Sequence, residues 1–129
     1  METEKKIKQF AQQTLGCGCS NEVFKRIVWE REILIGDIEL TGKINIGNRL
    51  LIYIVPAQKP EWLLNAVPAL VRAGKEERDL KGFNRFRLVL TAPETGIIEE
   101  EVFVIFNRTR GNDEKLHLHV VQEQENPFC

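Results

Sequence analysis

A chain of 129 residues, 43% apolar and 29% charged, is long enough to bury one self-sufficient core and is neither disordered nor composed for a bilayer. Its formal net charge of -1 gives no global attraction to nucleic acid or to an anionic membrane, and no apolar run approaches the ~18 residues of a spanning helix. The charged start METEKKIKQF lacks the apolar stretch of a signal peptide. The expectation is a single cytoplasmic domain, residues 1–129, whose three cysteines are thiols, metal ligands or redox groups rather than structural disulfides.

The patterning predicts an α+β fold with two N-terminal helices, a mixed sheet of about six strands, one kinked crossover helix and a C-terminal β-hairpin. Over residues 4–15, Ile7, Phe10, Ala11 and Leu15 recur at helical spacing with Lys5, Lys8, Gln9 and Gln12 opposite, and Gly16 suits the end of that helix. A second short helix is expected from about Asn21 to Ile27, burying Val23, Phe24 and Ile27. From Val28 the period becomes two: Trp29, Ile33 and Ile35 share a strand face. Ile38, Leu40, Ile44 and Ile46 form the neighbouring strand across a Gly36-Asp37 turn, with Gly42 as a bulge or second turn.

"LLIYIV" reads as a strand buried on both faces, and Pro60 opens the helix "EWLLNAVPALVRAGKEE", which Pro68 must kink or split. "RFRLVL" (85–90) returns as a strand, completing a βαβ unit with parallel strands. "EVFVIF" (101–106) and "KLHLHVV" (115–121) flank the polar "NRTRGNDE", the pattern of a hairpin, and Phe128 in the polar tail is available to dock. The crossover helix is apolar nearly all round, through Trp62, Leu63, Leu64, Val67, Leu70 and Val71. It is therefore either deeply buried or shared with a second copy, which makes a homo-oligomer a partner to consider.

The chemistry concentrates in "LGCGCSNEVFKRI". A cysteine at the start of the second helix would sit at the positive end of its dipole, where a thiolate is stabilised. Cys17 and Cys19 are accordingly the redox candidates, and a disulfide closed between residues so close is strained and easily reduced, suiting a switch. As metal ligands, Cys17 and Cys19 would need partners from His117 and His119, which alternate on one face of the last strand, and from Cys129; zinc or an iron–sulfur cluster are the candidate cofactors. Cysteine is also a small hydrophobe, so both thiols equally fit a glycine-rich link between helices.

Arg85 and Arg87 share a strand face, and Arg108 and Arg110 flank the expected hairpin loop, so these four are anion-binding candidates. No aromatic residues interleave with them as a base-stacking platform requires, and Glu99, Glu100 and Glu101 oppose them, which argues against nucleic acid. Asp37, Glu39 and Lys43 miss the alternate spacing of a metal-dependent nuclease, and neither a phosphate loop nor a Ser-His-Asp order is present.

"GCGCSNEVFKRI" is similar to the first half of the small [2Fe-2S] domain of the bacterioferritin-associated ferredoxin type, a resemblance that implies Cys17 and Cys19 as cluster ligands. That family also requires a Cys-x-x-Cys some thirty residues later, and residues 45–60 contain no cysteine. Over the chain as a whole, "LGCGC…EVF", "NRLLIYIV" and "GFNRFRLVL" resemble a prokaryotic family with which no activity is associated, so no catalytic residue is implied. Two functions are thereby set against each other: a thiol-based redox or metal-binding protein using the Cys-Gly-Cys turn, and a non-enzymatic interaction module with structural cysteines.

Overall fold

The computed structural model describes residues 2–18 and 21–128. Its frame is a five-stranded mixed sheet in which spatial order follows chain order. The chain opens with α1 (Glu2–Gln9), continued by a π-helical turn, Phe10–Thr14. β1 (Ile27–Ile35), β2 (Ile38–Ile46) and β3 (Leu50–Pro56) form an antiparallel meander. Then α2 (Pro60–Lys81) carries the chain back to β4 (Arg85–Ala92), and α3 (Glu99–Arg110) carries it to β5 (Leu116–Gln122), with β3, β4 and β5 all parallel.

Alternation along the strands makes two cores. On one face Leu51, Tyr53, Phe86, Leu88, Leu116 and Leu118 meet Val67 and Leu70 of α2 and Val102 and Phe106 of α3. On the other, Ile44, Ile46, Ile52, Ile54, Val89 and Val121 are covered by Ile7, Phe10, Ala11, Leu15 and Phe24. The sheet is thus sandwiched, and β3 is buried on both sides as its continuous apolar run predicts.

Several expectations are corrected. The segment 101–106 is helical, in the middle of α3, and not a strand. Its apolar run fits either period, and the flanks decide: Glu99, Glu100 and Glu101 occupy the first turn and Arg108 and Arg110 the last, both favourable to the helix dipole. Val102, Ile105 and Phe106 then share one buried stripe. The C-terminal hairpin vanishes with the strand, because β5 pairs in parallel with β4, Phe86 opposite Leu116. Hence the described residues hold five strands, not six, and two crossover helices, not one.

The second N-terminal helix reduces to a three-residue 3-10 turn, Val23–Lys25, because the β-branched Ile27 and Val28 already belong to β1 and the Arg26 carbonyl accepts from Gly47 N at 2.7 Å. Pro68 does not split α2, which runs unbroken from Pro60 to Lys81. Gly42 is neither bulge nor turn; it pairs with Arg31 and Ile54, and the Phe128 ring packs on it. Trp29 does not join Ile33 and Ile35. At Glu32, whose φ of 54° is left-handed, the ladder skips Thr41, and beyond it Ile33, Ile35, Ile38 and Leu40 serve the first core, whereas Ile27, Trp29, Ile44 and Ile46 serve the second.

Among the described residues no helix is long and apolar enough to cross a membrane.

Candidate functional site

Because Phe86, Leu88, Leu116 and Leu118 point into the first core, the residues between them, Arg85, Arg87, His117 and His119, emerge on the face that the N-terminal segment covers. Register sets Arg87 directly opposite His117, and each guanidinium reaches along the strands to one imidazole. Arg85 Nη1 lies 2.8 Å from His117 Nε2, and Arg87 Nη1 lies 2.7 Å from His119 Nε2. A guanidinium only donates, so both Nε2 atoms accept and each ring carries its proton on Nδ1.

The electrostatics agree with that assignment. Burial, then Arg87 and His117, pushes His119 down to about 4. His117 is lowered too, first by burial and then by Arg87, Arg85 and Arg110. Both rings are neutral at pH 7. They satisfy hydrogen bonds without cancelling charge.

Arg87 is half-buried and more constrained. Its Nη1 also reaches the Leu15 carbonyl at 3.3 Å, while its Nε is shielded from solvent and has no acceptor among the described residues. Burial, and then the charge of Arg85, lowers its proton affinity. Arg78 shows the contrasting solution in the same chain: it is buried and makes a two-pronged bond to Asp113, Nη1 to Oδ1 at 2.9 Å and Nη2 to Oδ2 at 2.7 Å. No carboxylate among the described residues pairs with Arg49, Arg85 or Arg87.

The rim is built by the turn between β2 and β3. Gly47 and Asn48 are both left-handed, φ 61° and 58°, and Arg49 N donates to Ile46 O at 3.0 Å, the geometry of a type I′ turn. Asn45 holds it from below, accepting from Asn48 N at 2.8 Å. The Arg49 carbonyl in turn accepts from both Asn84 N (2.8 Å) and Arg85 N (3.1 Å), tying the turn to the start of β4. A side chain at Gly47 would collide with the Val23 backbone, so the 3-10 turn rests directly on this corner.

Between these parts lies a cavity of about 650 Å³, lined by Cys17, Gly18, Glu22, Val23, Ile46, Arg49, Leu50, Asn84, Arg85 and Arg87. It opens at the N-terminal ends of the parallel strands, the end opposite to that used by most open α/β sheets. Cys17 is buried in its wall, donates from its backbone to Ala11 O at 2.9 Å, and is disulfide-bonded. Arg87 is anchored on Leu15, two residues before it.

Of the residues singled out in the sequence, Cys17, Arg85, Arg87, His117 and His119 come together here, whereas Cys19 and Cys129 lie outside the described residues. Arg108 and Arg110 do not line this cavity, although the charge of Arg110 is felt at His117. Both belong to the last turn of α3, with Arg110 stacked on Phe106 at 5.6 Å and donating to Leu116 O. The described residues contain no group of three or more His, Cys, Asp or Glu placed to hold a metal ion. Both Nε2 atoms face guanidiniums, which would repel a cation. The helix dipole expected to activate a cysteine is also missing, since three residues of 3-10 turn carry no appreciable macrodipole. The arginines that line the cavity with Cys17, Arg49, Arg85 and Arg87, are instead distant from it in sequence.

The sequence reading missed Arg49 and Asn84. The available signal was Gly47-Asn48, a turn-forming pair that delivers the next residue to a sheet corner. Lys43 is ion-paired with Glu77 at 2.9 Å, whereas Asp37 and Glu39 line a different cavity that does not include Lys43. Compared with protein-family models, curated proteins and solved structures, the chain gives no match.

Proposed function

We propose that the protein is a cytosolic thiol–disulfide redox protein working at Cys17. The observation that carries this reading is the position of the disulfide-bonded Cys17 in the wall of a cavity shared with Arg49, Arg85 and Arg87. A thiolate attacking the sulfur bonded to Cys17 forms a new disulfide there and expels Cys17 as a thiolate. A second thiol resolves the mixed disulfide, so two electrons pass in all. Nearby guanidiniums stabilise the departing thiolate and lower the pKa of the thiol. In a reducing compartment a disulfide with this environment turns over instead of acting as a staple.

The test is a native redox titration with glutathione buffers, followed by alkylation and mass spectrometry of each cysteine. The expected result is a reversible two-electron transition at a potential above about -300 mV, with Cys17 labelled only in the reduced form. Cys17→Ser abolishes the transition. Resistance of Cys17 to reduction until the chain is unfolded, or three permanently free and unreactive thiols, would overturn the reading.

A further inference from the structure

We infer that the same cavity binds a small oxyanion carrying at least two negative charges, held by Arg49, Arg85 and Arg87. This inference goes beyond the redox reading: it shares that reading's cavity but rests on the arginines and their neutral partners, not on the disulfide of Cys17.

Three arginines line one cavity, against a single lining carboxylate among the described residues, Glu22, which is exposed and bonded to Lys25 at 3.1 Å. Holding like charges together costs free energy that folded chains ordinarily offset with carboxylates. This chain does so at Arg78 but not here, where the partners are two neutral imidazoles. The imidazoles fix the direction of Arg85 and Arg87 and leave their charge uncompensated. That is the arrangement of a site preorganised for an external anion, because planar, laterally braced guanidiniums present paired donors to a carboxylate or a phosphate.

Size and position agree. About 650 Å³ lies within the range of small-molecule sites, and Ile46, Leu50 and Val23 supply an apolar floor and lip for the uncharged part of a ligand. The backbone bonds from Asn84 and Arg85 to the Arg49 carbonyl fix the spacing between the turn and β4 before any ligand arrives. The ligand is thus an organic molecule bearing phosphate or several carboxylates, with a modest apolar portion.

Isothermal titration of the oxidised 129-residue chain at low ionic strength, with inorganic pyrophosphate in one arm and citrate in the other, tests this. Arg49→Gln and Arg85→Gln alter exposed side chains and so spare the fold, and Arg108→Gln on α3 is the control outside the cavity. Saturable binding of at least one probe is expected, weakened roughly tenfold or more by each of the first two substitutions and unchanged by the third. Pyrophosphate alone identifies a phosphorylated ligand, citrate alone a polycarboxylate, and both a site selecting on charge. No saturable binding of either probe, affinity in R49Q and R85Q unchanged from the parent, or equal weakening in R108Q would overturn it. These titrations do not read thiol exchange, so a failure of the redox proposal leaves their outcome unaffected.

Discussion

Arg87 donates to His119 Nε2 at 2.7 Å, so a permanent cation rests on a neutral acceptor at the junction of β4 and β5. The pair has a measurable signature. Burial, Arg87 and His117 hold His119 down to about 4, against 6.5 for an unperturbed histidine. As pH falls, the unfolded chain therefore takes up its proton before the folded chain does. The stability this ring contributes is complete above pH 6.5 and is lost progressively between 6.5 and about 4, with His117 shifting in the same direction. Nuclear magnetic resonance titration of the imidazole protons should place His119 near 4, and the urea midpoint should fall between pH 7 and pH 5. A His119 titrating at 6.5 would show that the ring is not held against Arg87.

Arg78 and Asp113 clamp α2 to the loop that leads into β5. Both side chains are largely buried, and Arg78, followed by the Lys115 backbone amide, outweighs burial to hold the Asp113 carboxyl down at about 2. Removing Asp113 leaves Arg78 with only the more exposed Asp79 carboxylate, at 2.9 Å, so Asp113→Asn is expected to cost about 1.5–3 kcal/mol in chemical denaturation, the range for hydrogen bonds to charged groups. The sign with pH follows: this contribution is whole above the ordinary carboxylate value of 3.8 and disappears as pH falls from there toward 2. The variant should lose that portion of the acid sensitivity. A cost below about 0.5 kcal/mol would mean the bond behaves like an exposed ion pair.

Which parts of this molecule were legible depended on how local their causes are. Gly36-Asp37, the doubly buried β3, the helix opened by Pro60 and the β3–α2–β4 crossover all follow from residues adjacent in sequence. The alternation of Arg85 with Arg87, and of His117 with His119, correctly put all four on one side of their strands. That they bond to each other depends on β5 lying in parallel beside β4, and the misread segment 101–106 concealed it. Five apolar residues in a row satisfy both a strand and a helix, and only the charges at their two ends separate the possibilities. The proximity of Cys17 to the arginines is a tertiary fact, carried by the bond from Arg87 to Leu15, and no local pattern announces it.

Glu77 of α2 is held by three donors at once. Tyr53 donates to its Oε1 at 2.5 Å, and Lys43 and Lys81 donate to its Oε2 at 2.9 Å each. Burial would raise the Glu77 pKa, yet the bonds from Tyr53, Lys43 and Lys81 outweigh it and leave the carboxyl lowered. Burial and then Glu77 raise the Tyr53 phenol, which stays a donor at all working pH. Tyr53→Phe should therefore cost about 1.5–3 kcal/mol, the range for a hydrogen bond to a charged group. The loss should shrink as pH falls, because the bond to Tyr53 favours the ionised carboxylate and that part of its contribution disappears as Glu77 is protonated. Urea denaturation at pH 7 and pH 4 measures both, and a pH-independent cost would separate Tyr53 from the Glu77 charge.

Gly74 gives the sharpest test of packing on α2. Replacing an exposed helical glycine by alanine ordinarily stabilises by about 1 kcal/mol. Here a Cβ would run into the Phe86 ring, which is fully buried and fixed edge-on against Tyr53, centroids 4.8 Å apart and planes at 76°. The ring has nowhere to retreat, so Gly74→Ala is expected to destabilise by about 1–3 kcal/mol despite the helix propensity gained. Gly42→Ala also meets a ring, that of Phe128, but this ring is only partly buried and has room to shift, so its cost should be smaller. Coupling supplies the decisive measurement: Phe86→Leu should cost less in the Gly74→Ala background than in the parent, because the smaller side chain relieves the overlap. Additive costs, or a rise in melting temperature on Gly74→Ala alone, would show that α2 and β4 are not in contact at this point.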